Sequence, residues 1–326
     1  MKRNRKPIGI LYEHHTWLSP LFEELLKRGH PFERINVGRH HFNPHERDAS
    51  FSLIINALCA QPGARPGNFY ATSYLHHLEN LGLPIVNGTF AQHTETSKAN
   101  QLSIFSSLGL KFPKSRVVNH LDQIVPAALS MKFPLLIKTN IGGSGRGIIR
   151  FDTLSALQKA IDLFQIMLGI DHTALVQEYH EPWDNAIVRV ETLNGKFHYA
   201  IRVFPEEGND RSQTAAQPDA PAGDALFYIS GSPCRVKRVE AFTPSEKVIA
   251  DVQRIAKTAR LDAGGIEYLI DEQTGETFYF DISTLSCFFS DAKGIVGFDP
   301  CASFVDYIES RLEPVYEDER LPLVMQ

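Results

Sequence analysis

The chain has 326 residues, of which 43% are apolar, so it can bury more than one large core and should form two or three packed units. Its 33 lysines and arginines stand against 38 aspartates and glutamates, without long blocks of one sign, which argues against nucleic acid as a partner. We find no signal peptide and no apolar run of about 18 residues that could span a membrane, and four dispersed cysteines without CxxC spacing favour a reducing cytoplasm.

The first 90 residues are predicted to form a small α/β domain. Apolar runs at 8–12, 51–58 and 84–87 have the length and composition of buried strands, and residues 18–26 repeat leucine and phenylalanine at helical spacing. Strands that alternate with helices favour a parallel sheet. We therefore expect a separate N-terminal parallel-sheet domain over residues 1–90.

Four further helices are predicted after residue 90. Periodic apolar residues indicate helices at 94–108, 154–168 and 302–311. The sequence Thr243-Pro244-Ser245-Glu246 is typical of a capping box with proline at the first helical position, and it predicts a helix that runs to about Ala259.

A glycine-rich loop follows a strand-like run that ends in lysine. Residues 133–138 end at Lys138, and the sequence GGSGRG follows at 142–147. Glycine backbone amides can approach phosphate oxygens closely, and a nearby ammonium group neutralises their charge. The loop matches neither GxxxxGK[ST] nor a dinucleotide-binding fingerprint, so an ordinary flexible loop is an equal interpretation when this segment is taken alone.

A second segment, about 120 residues later, carries acidic side chains on two predicted strands. If the turn between the strands centres near Thr274, then Glu267 lies opposite Asp281, and Ser283 shares their face. Two facing carboxylates on apolar strands repel each other unless a cation lies between them, and Mg2+ suits such oxygen ligands. The alternative is a hairpin whose acids are surface charges.

The strongest hairpin signal lies at 186–204, with an Asn-Gly turn at 194–195. Counting outward from that turn places Arg189 opposite Ala200. Because side chains alternate between faces, Arg189 and Arg202 would then share one polar face. Both arginines are candidates for binding acidic groups of a substrate.

The order of these segments resembles the ATP-grasp superfamily of carboxylate-amine ligases, which includes D-alanine:D-alanine ligase, glutathione synthetase and the ribosomal-protein glutamate ligases. The resemblance spans residues 87–311. It rests on the segments Ser97-Lys98, Pro134 to Lys138, GGSGRGI, VQEYHE, the hairpin that reaches Arg202, GGIEYLID and FYFDIST. It implies an α/β (α+β) ATP-grasp fold over 91–326, with a lid-bearing subdomain at 91–180 and a metal-binding subdomain at 181–326.

The resemblance also implies roles for individual residues. Those expected to contact the nucleotide are Lys98, Lys138, Gly142, Gly143, Ser144, Gly145, Gly147, Gln177, Glu178, Tyr179, His180 and Asp184. Those expected to act in catalysis are Arg202, Lys138 and Arg189. Those expected to hold Mg2+ are Glu267, Asp281 and Ser283.

The implied activity is ATP-dependent formation of an amide bond through an acyl phosphate, with small carboxylate and amine substrates and ATP and Mg2+ as cofactors. The chain departs from the family pattern at the metal residues, where Asp281-Ile282-Ser283 replaces Glu-x-Asn, and the usual Asn-x-x-Pro-Gly sequel is missing. These departures leave open an ATP-binding regulatory or scaffold protein with weak or no catalysis. We expect residues 205–231 to form a mobile loop over the substrate, and the sequence allows but does not define a homodimer.

Overall fold

The computed structural model describes residues 6–12, 18–48, 50–58, 67–142, 147–205, 236–284 and 292–312. The strands are β1 (Ile8–Tyr12), β2 (Phe32–Asn36), β3 (Leu53–Asn56), β4 (Ile85–Val86), β5 (Ser115–Val118), β6 (Leu135–Thr139), β7 (Ile148–Phe151), β8 (Ala174–Glu178), β9 (Ile187–Leu193), β10 (Lys196–Pro205), β11 (Val236–Phe242), β12 (Ala263–Ile270) and β13 (Thr277–Ser283). The helices are α1 (Ser19–Lys27), α2 (Gly67–Asn80), α3 (Thr89–Thr96), α4 (Lys98–Ser107), α5 (Ile124–Ala128), α6 (Leu154–Asp162), α7 (Glu246–Thr258), α8 (Ala292–Val296) and α9 (Pro300–Arg311). No described helix has both the length and the apolar character needed to cross a bilayer.

The strands form three sheets, which confirms the predicted α/β (α+β) class. A parallel sheet has the order β2-β1-β3-β4. An antiparallel sheet of four strands has the order β5-β8-β6-β7, and an antiparallel sheet of five strands has the order β11-β10-β9-β12-β13. We call the four-stranded antiparallel sheet the lid sheet and the five-stranded one the central sheet.

Helices cover both faces of the parallel sheet. The apolar residues of β1 and β3 alternate between a core shared with α1 and a core shared with α2. Parallel strands covered on both faces have near-continuous apolar runs, and this is why their positions were predictable. The first core also contains Phe304 and Ile308 of α9, so the last described helix packs against the first strand of the chain.

Helices α4 and α7 pack on one face of the central sheet, where Phe105 and Val252 are fully buried. The helix predicted at 94–108 is in fact two helices, because the chain is extended at Ser97 and its hydroxyl caps α4 by accepting from the Asn100 amide at 3.3 Å. Residues 98–107, which form α4, pack on the central sheet, although they fall within the predicted lid-bearing subdomain at 91–180. The division into subdomains at 91–180 and 181–326 stays a prediction.

Two other predicted helices differ at their ends. The residue that caps α7 is Ser245, whose hydroxyl accepts from the Val248 amide at 3.4 Å, so the predicted capping box at 243–246 is wrong. Helix α6 ends at Asp162 and not at 168, and Phe164, at 86% exposed, has a left-handed backbone. An aromatic residue that points into water cannot extend an apolar helix face.

One asparagine ties the parallel sheet to the central sheet. The Asn87 side-chain amide donates to Ala263 O and Thr284 O, both at 2.7 Å, and its oxygen accepts from the Asp262 amide at 3.0 Å. Asn87 is buried and has φ of 58°, a left-handed conformation that asparagine tolerates. Asn87 therefore sets the direction of the chain after β4 and also anchors the start of β12.

Candidate active site

The two acidic residues predicted to face each other do so. Glu267 on β12 pairs with Asp281 on β13, and Ser283 pairs with Gly265 two positions away on the same face. The Glu267 carboxylate is buried and that of Asp281 is partly buried. Counting from a turn centred at Thr274 predicted this pair correctly. Nearer the turn the count is off by one residue, since Tyr268 pairs with Tyr279, and a bulge between Glu267 and Tyr268 accounts for the difference.

Each acid is paired with a cation from another part of the chain. The Lys98 Nζ, at the start of α4, lies 2.6 Å from Asp281 Oδ1. The Arg189 guanidinium donates to Glu267 Oε1 at 3.0 Å and to Glu191 Oε1 at 2.6 Å. Glu191 is only 1% exposed, so this arginine lies between two buried carboxylates.

Lys138, at the end of β6 in the lid sheet, adds a third cation. Burial and then the charge of Lys98 lower the pKa of the Lys138 amine to about 7. Burial alone would also lower the pKa of Lys98, but the adjacent Asp281 carboxylate raises it overall. The two lysines therefore differ, because only Lys98 has a carboxylate in direct contact.

Glu267 retains an unsatisfied atom in this buried cluster. Burial and then the Asp281 charge raise the pKa of Glu267 to about 7. Its Oε1 accepts from Arg189, but Oε2 is buried without a hydrogen-bond partner among the residues described. A buried carboxylate oxygen without a donor is costly, and it suits a site that gains a cation or a donor from a ligand.

The cluster fits a magnesium ion that is shared with a substrate. The described residues contain no group of three His, Cys, Asp or Glu side chains that could hold a metal by themselves. Mg2+ in nucleotide enzymes commonly takes one or two carboxylates together with phosphate oxygens and water, and Glu267 and Asp281 supply that number. Both would contribute oxygens on the face where Ser283 also lies.

A glycine makes room for the arginine between the acids. Gly265 lies on β12 next to Glu191 of β9. A Cβ atom at position 265 would lie 2.4 Å from Nη2 of Arg189 and 2.5 Å from its Cζ. Any other residue at 265 would therefore displace the guanidinium, so the glycine is part of the site.

The predicted register of the hairpin at 186–204 is wrong. A bulge at His198 shifts the pairing, so that Arg189 lies opposite Ile201 and not Ala200. Arg202 consequently points to the face opposite Arg189, where it donates to Asp184 Oδ2 at 2.8 Å. The argument that placed the two arginines on one polar face fails, and the catalytic role of Arg202 stays a prediction.

Comparison with known proteins finds relatives in sequence and in fold. No protein-family model matches the chain. The probable alpha-L-glutamate ligase 2 of Shewanella frigidimarina is 26% identical over 257 residues, which cover 76% of this chain and 78% of that protein. Among solved structures, the ATP-grasp ligase PsnB with a phosphomimetic variant of its minimal precursor, Mg and ADP has a TM-score of 0.66 at 16% identity, over 95% of this chain and 100% of that one.

The D-alanyl-alanine synthetase A of Vibrio cholerae has the same fold, with a TM-score of 0.68 at 15% identity over 94% of this chain and 98% of that one. The chain has the fold of the ATP-grasp ligases and is similar in sequence to proteins named alpha-L-glutamate ligases. The resemblance found in the sequence is thereby confirmed, and so are the ligase class and the ATP-grasp fold.

Glu178, Tyr179 and His180, which the resemblance predicts as the hinge that binds adenine, lie at the end of β8, between the lid sheet and the central sheet. The backbone amides of Glu178 and Tyr179 donate to Lys114 O and Pro134 O, both at 2.9 Å, so these two amides are already used inside the lid sheet. The side-chain amide of Gln177 donates to Ser115 Oγ at 2.9 Å. Contacts from these residues to an adenine stay a prediction.

His180 and Asp184 have partners on the central sheet. The His180 Nδ1 lies 2.8 Å from Asp271 Oδ2, and its ring stacks on Phe278 with a centroid distance of 4.2 Å. Asp184 has φ of 55° and accepts from Arg202. Its expected contact with the nucleotide would require that ion pair to be shared or broken.

Part of the ATP-grasp glycine loop is described. Gly142 is buried, and Gly147 has φ of 73°, where a Cβ atom would lie 2.9 Å from Thr139 Oγ1. Gly143, Ser144 and Gly145 lie outside the described residues, as does the predicted mobile loop at 205–231 apart from Pro205, which ends β10.

Sequence reasoning did not identify Asn140 as part of the site. Its side-chain oxygen accepts from the Ala99 amide at 2.8 Å, and its nitrogen donates to Asp171 at 2.6 Å. Asn140 thus joins the start of α4, which carries Lys98, to the strand that carries Lys138. In the sequence, the one signal that could have pointed to Asn140 was its position two residues after Lys138.

Proposed function

We propose that this chain is an ATP-dependent ligase that joins a carboxylate to an amine through an acyl phosphate, releasing ADP and phosphate. The observation that supports this best is the opposed pair of Glu267 and Asp281, with Lys98, Lys138 and Arg189 on the same site. Phosphoryl transfer needs little covalent help from a protein, because positioning and charge neutralisation lower most of the barrier.

The reaction would proceed in two displacements. A substrate carboxylate oxygen attacks the γ-phosphorus of ATP, the bond to the β-phosphate oxygen breaks, and ADP leaves. The amine nitrogen then attacks the acyl carbon, the carbon–oxygen bond to phosphate breaks, and the nitrogen loses a proton. Bound Mg2+ would neutralise charge on the phosphate oxygens and polarise them.

Each cation has a separate part in this proposal. Lys138, which has no direct carboxylate partner among the described residues, is available to bind a phosphate oxygen, and a bound anion would raise the pKa of its amine. Arg189 is oriented by Glu191 and would stabilise the charge that develops on the transferred group. Glu267 Oε2 and Asp281 would hold the metal.

An amino acid is the amine we propose to test first. The relatives that support the family are named alpha-L-glutamate ligases, and the PsnB complexes contain a precursor peptide. A peptide or amino-acid carboxylate as acceptor and glutamate as the added amino acid would fit both names.

The test is ADP release measured with a coupled assay over a panel of amino acids, dipeptides and short peptides. We expect ADP to appear only with a matched carboxylate and amine, together with an equal amount of new amide by mass spectrometry. Lys138→Ala and Asp281→Ala should each abolish ADP release while the fold remains, and Lys159→Ala, an exposed lysine on α6, should be neutral.

Full ADP release by Lys138→Ala or Asp281→Ala would refute the site. If ATP and Mg2+ raise the melting temperature without turnover on any pair, the ATP-binding regulatory alternative is favoured. That alternative has support in Asp281 and Ser283, which provide a shorter acid and a weaker ligand than the usual Glu and Asn.

A further inference from the structure

An open groove lies between helices α2 and α3 on one side and helix α7 with the β9–β10 turn on the other. It encloses about 1100 Å3 and is lined by the end of α2, the start of α3, the turn between β9 and β10, and α7. A space of that size exceeds what a single small ion needs. Helix α7 packs on the face of the central sheet opposite Glu267 and Asp281, so the groove is separate from the candidate active site.

Positive side chains with no ion pair line this groove. Lys196, Lys257 and Arg260 all line it, and none forms an ion pair among the residues that the structure describes. Arg254 lies there too, but it is bonded to Asp251 at 3.2 Å. The groove therefore has unpaired positive charge, although the chain as a whole has a net charge of −5.

The two acids that line the groove already have internal hydrogen-bond partners. Glu79 accepts from the Thr89 amide at 2.7 Å and from its hydroxyl at 2.8 Å. Asp262 accepts from Arg311 at 2.8 Å and from the Asn87 amide at 2.7 Å. Among the residues that the structure describes, neither carboxylate forms an ion pair with Lys196, Lys257 or Arg260, so these cations remain available to an external anion.

An exposed aromatic side chain, that of Phe90, also lines the groove. Phe90 is 41% exposed, and the guanidinium carbon of Arg260 lies 4.7 Å from the centre of its ring. An exposed aromatic ring next to arginine and lysine is the composition found at protein interaction sites. A ligand that fits both would combine several carboxylates with an apolar side chain.

We propose that this groove docks an acidic peptide segment that carries an apolar residue. Carboxylates would pair with Lys196, Lys257 and Arg260, while the apolar side chain would contact Phe90. A peptide is favoured over nucleic acid because the chain has a net charge of −5 and its lysines and arginines form no long basic blocks of the kind that suit a phosphate backbone. The inference concerns binding alone and does not depend on the proposed ligase activity.

The test is fluorescence anisotropy of the full chain, without ATP, and with a labelled peptide of eight glutamates around a central leucine. We expect saturable binding that weakens with salt, and at least about tenfold weaker binding to the Lys196→Glu/Lys257→Glu variant, because like charges would then face each other. Lys159→Glu/Lys293→Glu, which changes net charge equally at exposed sites elsewhere, should bind as the parent does.

Three further variants separate docking from other effects. Phe90→Ala should weaken binding several-fold and remove the preference for leucine over glycine at the peptide's centre. Lys138→Ala and Asp281→Ala should bind the peptide normally, whatever they do to ADP release, so a failure of the ligase proposal would be seen separately. Melting temperatures of all variants establish that each is folded.

Three outcomes would overturn the inference. The first is equal binding by the Lys196→Glu/Lys257→Glu variant and the parent. The second is equal affinity for a peptide in which glutamine replaces glutamate. The third is a single-stranded oligonucleotide of equal charge that binds more tightly than the peptide and loses that affinity in the charge-reversed variant, which would assign the groove to nucleic acid.

Discussion

The guanidinium of Arg189 occupies the space in which a side chain at Gly265 would begin. The distance from a Cβ atom at 265 to Nη2 would be 2.4 Å, well inside van der Waals contact. Arg189 is held there by Glu191 at 2.6 Å and Glu267 at 3.0 Å. Gly265 has no side chain that could react or bind, yet the space it leaves determines where the Arg189 guanidinium lies.

Replacing this glycine with alanine should reduce activity more than stability. In Gly265→Ala the added methyl group displaces Arg189, and we expect the rate of ADP formation to fall about 100-fold, as misplacement by about 1 Å can cause. The free energy of unfolding in urea should fall by only about 1–3 kcal/mol. Gly38→Ala, where the nearest atom to a new Cβ is Asn36 Oδ1 at 3.3 Å, should change neither. Parental activity in Gly265→Ala would show that Arg189 is dispensable.

The Lys98–Asp281 pair should contribute to the stability of the protein without metal. Lys98→Ala leaves Asp281 close to Glu267 without its nearest cation, so we expect a loss of about 2–4 kcal/mol in the free energy of unfolding. Mg2+ should raise the melting temperature of Lys98→Ala more than that of the parent, since an ion would take the place of the ammonium. Lys111→Ala, from the exposed pair with Glu276, should lose less than about 1 kcal/mol. A Mg2+ response no larger than the parent's would argue against a metal site at Asp281.

Lys138 should strengthen the binding of the nucleotide, and it should lower the free energy of unfolding of the protein without nucleotide. Its pKa of about 7 in the folded chain lies below the ordinary value of 10.5, so folding with the amine charged is unfavourable. We expect Lys138→Met to lose ADP release and to gain about 1–4 kcal/mol in stability.

The pH dependence of that gain follows from the sign of the shift. Below pH 7 the amine is protonated in both the folded and the unfolded chain, so the gain is complete. Between pH 7 and 10.5 the folded amine is neutral, and the gain shrinks as pH rises, because the unfolded chain also approaches neutrality. Urea unfolding of the nucleotide-free proteins at several pH values measures this. A gain that grows above pH 7 would contradict the assigned pKa direction.

Asn87 offers a way to separate hydrogen bonding from backbone conformation. Asn87→Gly keeps the left-handed conformation but leaves Ala263 O and Thr284 O without their donor, and should cost about 2–4 kcal/mol. Asn87→Ala should cost about 1–2 kcal/mol more, because a Cβ atom is unfavourable at φ of 58°. Equal losses in the two variants, measured by urea unfolding, would show that the conformation contributes nothing.

The acidic pair could be predicted from the sequence because a hairpin has few registers and both strands are apolar around Glu267 and Asp281. The same counting failed for Arg202, since nothing in the Asn-Gly turn reveals the bulge at His198. Strand β2 escaped prediction because an edge strand such as FERIN exposes three of its five residues and shows no regular apolar alternation.

Contacts between distant segments were also beyond sequence reasoning. The pairing of Lys98 with Asp281 joins residues that come together only when α4 packs on the central sheet. The family resemblance placed both in one site, but it assigned the lysine to phosphate and the aspartate to metal. The structure adds that, without a ligand, each neutralises the other.

The contact between α9 and the parallel sheet has a consequence for biosynthesis. Ile8 and Ile10 share a core with Phe304 and Ile308, so the first strand cannot complete its burial until the ribosome has made the last described helix. At about 5–20 residues per second, that delay is roughly 15–60 s. During this interval the nascent chain carries an uncovered apolar surface that a chaperone could shield.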